Sequence, residues 1–457
     1  MRRVPFLLSL ALLSGGLVAA PGGASGLAGA AISGGNGLAQ HDPGVGGFMS
    51  PNVSYVGTIP LDSPGVGGRV LQVGDQVRFY VTGLKGLTVY DVTDPALPLP
   101  LGVFAYPHSQ NEDVDVSDDG KRVIISADGS LLLPIMPATR GVHVIDTSDP
   151  ANMALLGSHS QGSHTTTCAD PACEWLYTSN GSILDATNPA SITEVGRWKP
   201  TSGSAHALNR DEAGIVISDS NPRFVLDPAG VIAPTTSFHE PAVLSAGGRV
   251  DALDNRLQHN NVRPRATEWT PRAAEDAGDG PLRPGELLIG NSESNLNQFC
   301  SSAGGLSTWS MANFDRGEPI TQIESFRPVS GTWADGNAAV NGLGCSGHWF
   351  TERDNIITAA WYEHGIRFVE VDPESGELTE VGYFQPVATE AGAAHWVDDE
   401  YVYTVDYARG IDILRFDRGG ELPSEENRLA SWLSTIGQAP GPLAERERYI
   451  CSLALRD

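Results

Sequence analysis

One phrase returns along most of this chain. It reads GLTVYDVTDPALPLPLGVF from Gly86, GVHVIDTSDPANMALLG from Gly141, GSILDATNPASITEVGRW from Gly181 and GIRFVEVDPESGELTEVGYF from Gly365. Each copy is a glycine, a β-rich run ending in an acidic residue, a proline-containing turn and a second β-rich run around a glycine. A unit that returns every ~40–60 residues cannot bury its apolar face alone and must stack on its neighbours. That requirement restricts the fold far more than it restricts the activity.

Each unit reads as four strands. Gly86, Gly141, Gly181, Gly365 and Gly410 are expected to open third strands, and a V-G-hydrophobic pattern marks the fourth (LPLGVF, MALLGS, TEVGRW, TEVGYF). Second strands precede the glycine, as in VRFYVTG, KRVIISADG, WLYTSNG, NIITAAW and YVYTVDYARG. Alternating β-branched and aromatic residues bounded by turn residues support these assignments. Seven units follow, from about Val66, His108, Gly162, Gly203, Arg256, Gly344 and Gly392. The fourth is degenerate but keeps its turn in SNPRFVLDPAG. The fifth carries a polar insertion over residues 264–285, read as a mobile surface loop. The seventh ends at RFDRGG without a fourth strand, while NVSYVGTIP from Asn52 has the fourth-strand pattern. An N-terminal strand that closes the last blade completes a ring without free edges. The chain is therefore expected to be all-β, a seven-bladed β-propeller over residues 51–418, with a short helix in the tail 419–457. Ser424 would cap that helix, Glu425 and Glu426 would occupy its first turn, and Leu429, Trp432, Leu433 and Ile436 would share one face.

Arg2 and Arg3 precede an apolar run from Val4 to about Ala20, followed by small residues. This is the pattern of a secretory signal, assigned to residues 1–30, with a flexible Gly/Ala-rich segment over residues 31–50. The run is too short for a stable membrane span, and the product is expected to be secreted. The formal charge of −26 opposes binding to nucleic-acid phosphates. In an oxidising compartment the five cysteines favour disulfides. Cys168 and Cys173 bracket the turn sequence ADPA and are expected to clamp one hairpin, and Cys300 and Cys345 lie in two loops of one face and are expected to pair. Cys451 is left without an assigned partner.

The four quoted units resemble LVIVD repeats, found in exported bacterial β-propeller proteins. The resemblance runs from about Asn52 to Asp417 and is weakest in the fourth and fifth units. PHSQNED, GSHTTTC, QHNNVRP and CSGHWF resemble segments of secreted actinobacterial members. The family is mostly unassigned in biochemical function, so the resemblance implies the fold and not an activity.

The residues that carry chemistry are histidines. His164 (GSHTTTC), His206 (GSAHAL), His259 (LQHNNV), His348 (CSGHWF) and His395 (GAAHWV) all stand at the approach to a first strand, in five consecutive units. His108 lies in the corresponding loop of the preceding unit, beside Glu112 and Asp113, and His364 in a second-to-third-strand loop of the same face. First strands line the channel of a propeller, so a ring would bring such side chains together. Imidazoles with a neighbouring carboxylate suit a transition metal, copper or zinc foremost. His164, His206, His259 and His348 are the expected ligands, with His108, Asp113 and His395 as outer candidates. The competing expectation is that these rings line a wet channel or pack between blades, strand alternation turning some of them away from the axis. Selenium-binding protein, a methanethiol oxidase, is similar in being a propeller that binds copper through histidines, though no motif of that family aligns here.

Other constellations are poorer. In DVDVSDDG, with Asp115 as first ligand of a calcium loop, the twelfth position is Ser126, where a bidentate Glu is required. No GxSxG elbow or Walker loop occurs. Trp349, Phe350, Trp361, Tyr362 and Trp396 are expected mainly to pack blade on blade. The expectation for function is a metal-binding propeller acting on a small molecule by oxidation or hydrolysis. Its rival is a non-catalytic extracellular platform for a protein or glycan.

Overall fold

The computed structural model describes residues 47–61, 63, 65–106, 114–127, 140–198, 205–229, 242–246, 257–276, 280–293, 304–328, 345–386 and 389–420. They form seven antiparallel sheets. In chain order these are blade 1 (residues 65–105), blade 2 (115–159), blade 3 (166–197), blade 4 (208–246), blade 5 (257–326), blade 6 (350–386) and blade 7 (391–416). The strand Val53–Ile59 pairs with Gly410–Phe416, Val53 opposite Phe416 and Ile59 opposite Ile411, so the N-terminus closes the last blade. A further short strand, Gly47–Met49, pairs with Leu378–Pro386 and gives blade 6 a fifth strand.

The repeated phrase has a local physical reason. The residue before each turn proline folds back on the chain: Asp94, Asp149, Asn188 and Asp227 each accept a hydrogen bond from the backbone N–H two residues on. Gly365 and Gly410, which open third strands, have φ of 67° and 108°, and a Cβ there would overlap the carbonyl oxygens of Phe384 and Ile59. The fourth-strand glycine serves packing between blades. A Cβ on Gly102 or Gly157 would overlap the carbonyl oxygen of Pro150 or Pro189 in the next blade. The V-G pattern and the turn proline are thus two halves of one interblade contact.

Apolar residues fill the wedges between blades. Phe368 of blade 6 stacks on Phe416 of blade 7 at 4.4 Å, with Trp396 against both. The wedge that closes the ring joins Phe79 and Val81 of blade 1 to Tyr403, Val405 and Ile411 of blade 7. A fully buried aromatic contributes about 1.5–3 kcal/mol to such a wedge.

Two expectations are corrected. The fold class included a short C-terminal helix. Among the described residues the helical elements are three-residue 3-10 turns such as Pro150–Asn152 and Phe314–Arg316, and no helix of seven or more residues occurs. The segment from Ser424 lies outside the described residues. The insertion of blade 5 is not a loose loop where it is described. Arg263 pairs with Asp211 at 2.8 Å and stands 4.8 Å over the Phe314 ring, and Arg272 pairs with Glu286, all four charged side chains being buried. Buried charges are tolerated only when paired in this way, and each pair fixes the chain on both sides of it. The assigned signal segment 1–30 lies outside the described residues. No helix among the described residues is long and apolar enough to cross a membrane.

Candidate metal centre

Four of the expected histidines come together. His164, His206 and His348 each stand two residues ahead of a first strand (Thr166–Cys168, Leu208–Arg210 and Phe350–Arg353), and His259 lies within the strand Leu257–Val262. Consecutive blades set the rings in an arc. Their centroids are 4.4 Å apart from His164 to His206, 4.0 Å from His206 to His259 and 4.1 Å from His259 to His348. His206, His259 and His348 are buried, whereas His164 is partly exposed.

Nε2 of His164 lies 2.9 Å from Nε2 of His206. At such a separation one ring donates a hydrogen bond to the other, or one ion takes the place of the shared proton. Two nitrogens on one tetrahedral ion stand about 3.3 Å apart, given metal–nitrogen bonds of ~2.0–2.1 Å. Nδ1 of His348 donates to the carbonyl oxygen of Gly392, which leaves Nε2 as the lone-pair nitrogen of its neutral ring.

Neighbouring blades hold the backbone around these rings. The Thr165 hydroxyl donates to the carbonyl oxygen of His206 at 2.6 Å. The Asn291 side chain donates to the carbonyl oxygen of His348 at 2.7 Å and accepts from the Asn260 N–H at 2.9 Å. Behind His206 the buried Asp219 carboxylate meets Arg223 and Asn261. Burial pushes Asp219 up to about 6, outweighing the Arg223 guanidinium that pulls it down.

A carboxylate completes the group, and it is not one that the sequence reading named. Ligand atoms of His206, His259 and Glu293, all three buried, lie within 4.8 Å of one another. Glu293 ends the second strand of blade 5 (Leu287–Glu293), and its Oε2 is 3.8 Å from Nε2 of His206. The signal was legible in part: a lone acidic residue ends the apolar run LLIGNSE on the face where the histidines gather.

The outer candidates fare differently. His395 is buried on the opposite side of blade 7, where its ring packs 5.6 Å from Phe79 and its Nε2 sits 3.2 Å from where a Cβ on Gly68 would lie. Burial, with the nearby Arg69 cation, pushes it down to about 3. It is a neutral packing residue between blades 7 and 1. His108, Glu112 and Asp113 lie outside the described residues. Among the aromatics, Trp361 and Trp396 pack in interblade cores, while Trp349 borders the cluster, 5.1 Å from His259. Tyr362 also borders it, 4.8 Å from His348.

A disulfide joins Cys168 to Cys173 with Cα atoms 4.7 Å apart, across the first hairpin of blade 3. Cys345 is disulfide-bonded too, and the expected partner Cys300, like Cys451, lies outside the described residues.

No protein-family model and no curated protein sequence matches this chain. Solved structures do. The β-propeller domain of Cps50 (Swd1) from Myceliophteria thermophila is 11% identical, covers 81% of this chain and 100% of its own, and superposes with a TM-score of 0.51. YCF48 bound to D1 peptide is 10% identical over 82% of this chain and 97% of its own, with a TM-score of 0.46. A putative 6-phosphogluconolactonase from Bacteroides uniformis is 12% identical over 70% of this chain and 84% of its own, also with a TM-score of 0.46. Identities this low carry the fold alone, so the chain is a seven-bladed β-propeller distantly similar to other propellers, and membership of the LVIVD-repeat or selenium-binding families is not established.

Proposed function

We propose that this protein is an exported propeller that binds one transition metal ion, copper or zinc, where blades 3 to 6 converge. The observation that carries this reading is the buried group of His206, His259 and Glu293, whose ligand atoms lie within 4.8 Å of one another. His164, with Nε2 2.9 Å from that of His206, is the fourth ligand on the exposed side. His348, its ring tilted against that of His259 with centroids 4.1 Å apart, borders the ion or replaces a ligand on it. Imidazole nitrogens with one carboxylate oxygen form a donor set for zinc or copper rather than for calcium or magnesium. The partly exposed His164 side is where a small molecule would reach the ion. There a bound ion would supply Lewis-acid or redox chemistry for hydrolysis or oxidation.

Elemental analysis of full-length protein purified without chelator tests this directly. About one zinc or copper per chain is expected. Binding weakens on acidification, because protonated imidazole cannot ligate. Protein that stays metal-free after incubation with both ions would leave a non-catalytic platform as the better reading.

A further inference from the structure

Tyr362 stands out beside the proposed centre. It lies in the loop between the second and third strands of blade 6, with φ of 40°, a left-handed conformation that costs a non-glycine residue of order 1–3 kcal/mol. Reciprocal backbone hydrogen bonds with Ala391 of blade 7, at 3.1 and 3.0 Å, hold it there. The ring is buried, and its hydroxyl reaches across to blade 5 to donate to Oε1 of Glu293 at 2.5 Å. The other carboxylate oxygen, Oε2, is the one near Nε2 of His206, at 3.8 Å. The two oxygens of Glu293 therefore face different partners, and a strained backbone is maintained where that division is made.

We propose that Tyr362 is a positioning residue that holds Glu293 as a one-oxygen ligand and thereby sets the coordination number and metal preference of the centre. The inference rests on the metal reading above. A carboxylate can bind an ion through one oxygen or both, and two-oxygen binding raises the coordination number toward that favoured by larger, harder ions such as manganese or calcium. A hydroxyl donated to Oε1 opposes chelation. Being neutral, it does so while leaving the negative charge of Glu293 for the ion. An arginine in its place would compete with the metal for that charge.

The test uses the full-length protein with Zn(II), Co(II) and Mn(II) as probes. Tyr362→Phe removes only the hydroxyl. The expected result is a ~10–100-fold loss of Zn(II) affinity, the usual effect of losing a ligand's hydrogen-bond partner. Mn(II) should gain relative to Zn(II). The intense visible absorption of four-coordinate Co(II) should give way to the weak bands of higher coordination, a signature that mere loosening of the fold would not produce. Glu293→Gln supplies the second arm. In that background Tyr362→Phe should cause no further loss, since the hydroxyl acts through the carboxylate. Unchanged Zn(II) affinity and Co(II) spectrum in Tyr362→Phe, or additive losses in the double variant, would overturn the inference and leave the metal centre standing. Wild-type protein that binds none of the three ions, nor Cu(II), would overturn both.

Discussion

His348 stands two residues ahead of the first strand of blade 6 and His395 lies within that of blade 7, Ala391–Trp396; the former joins a cluster of imidazoles and the latter packs against Phe79. Strand register explains the difference. Phe350 pairs with Ala359, six residues before Gly365, and Ala394 pairs with Thr404, six residues before Gly410. Phe350 and Ala394 are therefore equivalent. His348 lies two residues before Phe350 and His395 one residue after Ala394, so the two are three positions out of phase. His395 sits inside its strand and turns toward Phe79 of blade 1, whereas His348 precedes its own strand and meets His259. The true counterpart of His348 in blade 7 is Gly392, whose carbonyl oxygen receives the His348 Nδ1–H. Similar motifs, GHWF and AHWV, thus carry different chemistry.

The comparison breaks most directly at the metal. Replacing His206 and His259 together by Ala should reduce bound zinc or copper from about one per chain to a negligible level, whereas His395→Leu should leave it unchanged; elemental analysis of the two variants decides. Metal lost equally from both would mean that the two histidine environments are not functionally distinct.

A smaller effect belongs to His395 alone. Its folded-state pKa is depressed to about 3 from the ordinary 6.5. The unfolded chain therefore binds the proton more readily, and the stability the neutral ring contributes is present above pH ~6.5 and lost as pH falls toward ~3. At pH 5 the loss is about 2 kcal/mol. Denaturant melts at pH 7.5 and pH 5 should show His395→Leu losing less stability on acidification than wild type by that amount. An equal loss in both proteins would show that His395 is not the acid-sensitive group.

The smallest effect tests the framework of the arc. Thr165→Val keeps the side-chain shape but removes the hydroxyl bonded to the His206 carbonyl oxygen. It should cost about 1 kcal/mol of stability and weaken the metal slightly, as read by melts and competitive Zn(II) titration. The same titration on Thr351→Val, whose hydroxyl bonds the Ala394 carbonyl oxygen near His395, should show no change in the metal.

Much of the architecture was readable in the chain because its punctuation has local causes. The Asp-Pro turns, the glycine at Gly365 or Gly410 and the fourth-strand glycine each satisfy a backbone requirement within one blade or its neighbour. The C-terminal helix was argued from capping and an apolar stripe, and among the described residues the fold contains no such element. The supposedly loose insertion was misjudged because Asp211, the partner of Arg263, is in another blade. Glu293 escaped notice for a related reason: a single acidic residue at the end of a strand acquires meaning only when Tyr362 and His206 arrive from blades 6 and 4.

The sequence by itself determined a ring of seven sheets, its closure by the N-terminal strand, and the layer of the ring in which the histidines lie, because hydrophobic period, turn chemistry and glycine positions are properties of short segments. Only the tertiary structure decided which imidazoles meet, which carboxylate joins them and which histidine becomes packing. Those outcomes depend on strand face and on neighbours tens to hundreds of residues away in the chain, and the pleat reverses a side chain's direction with every residue of register.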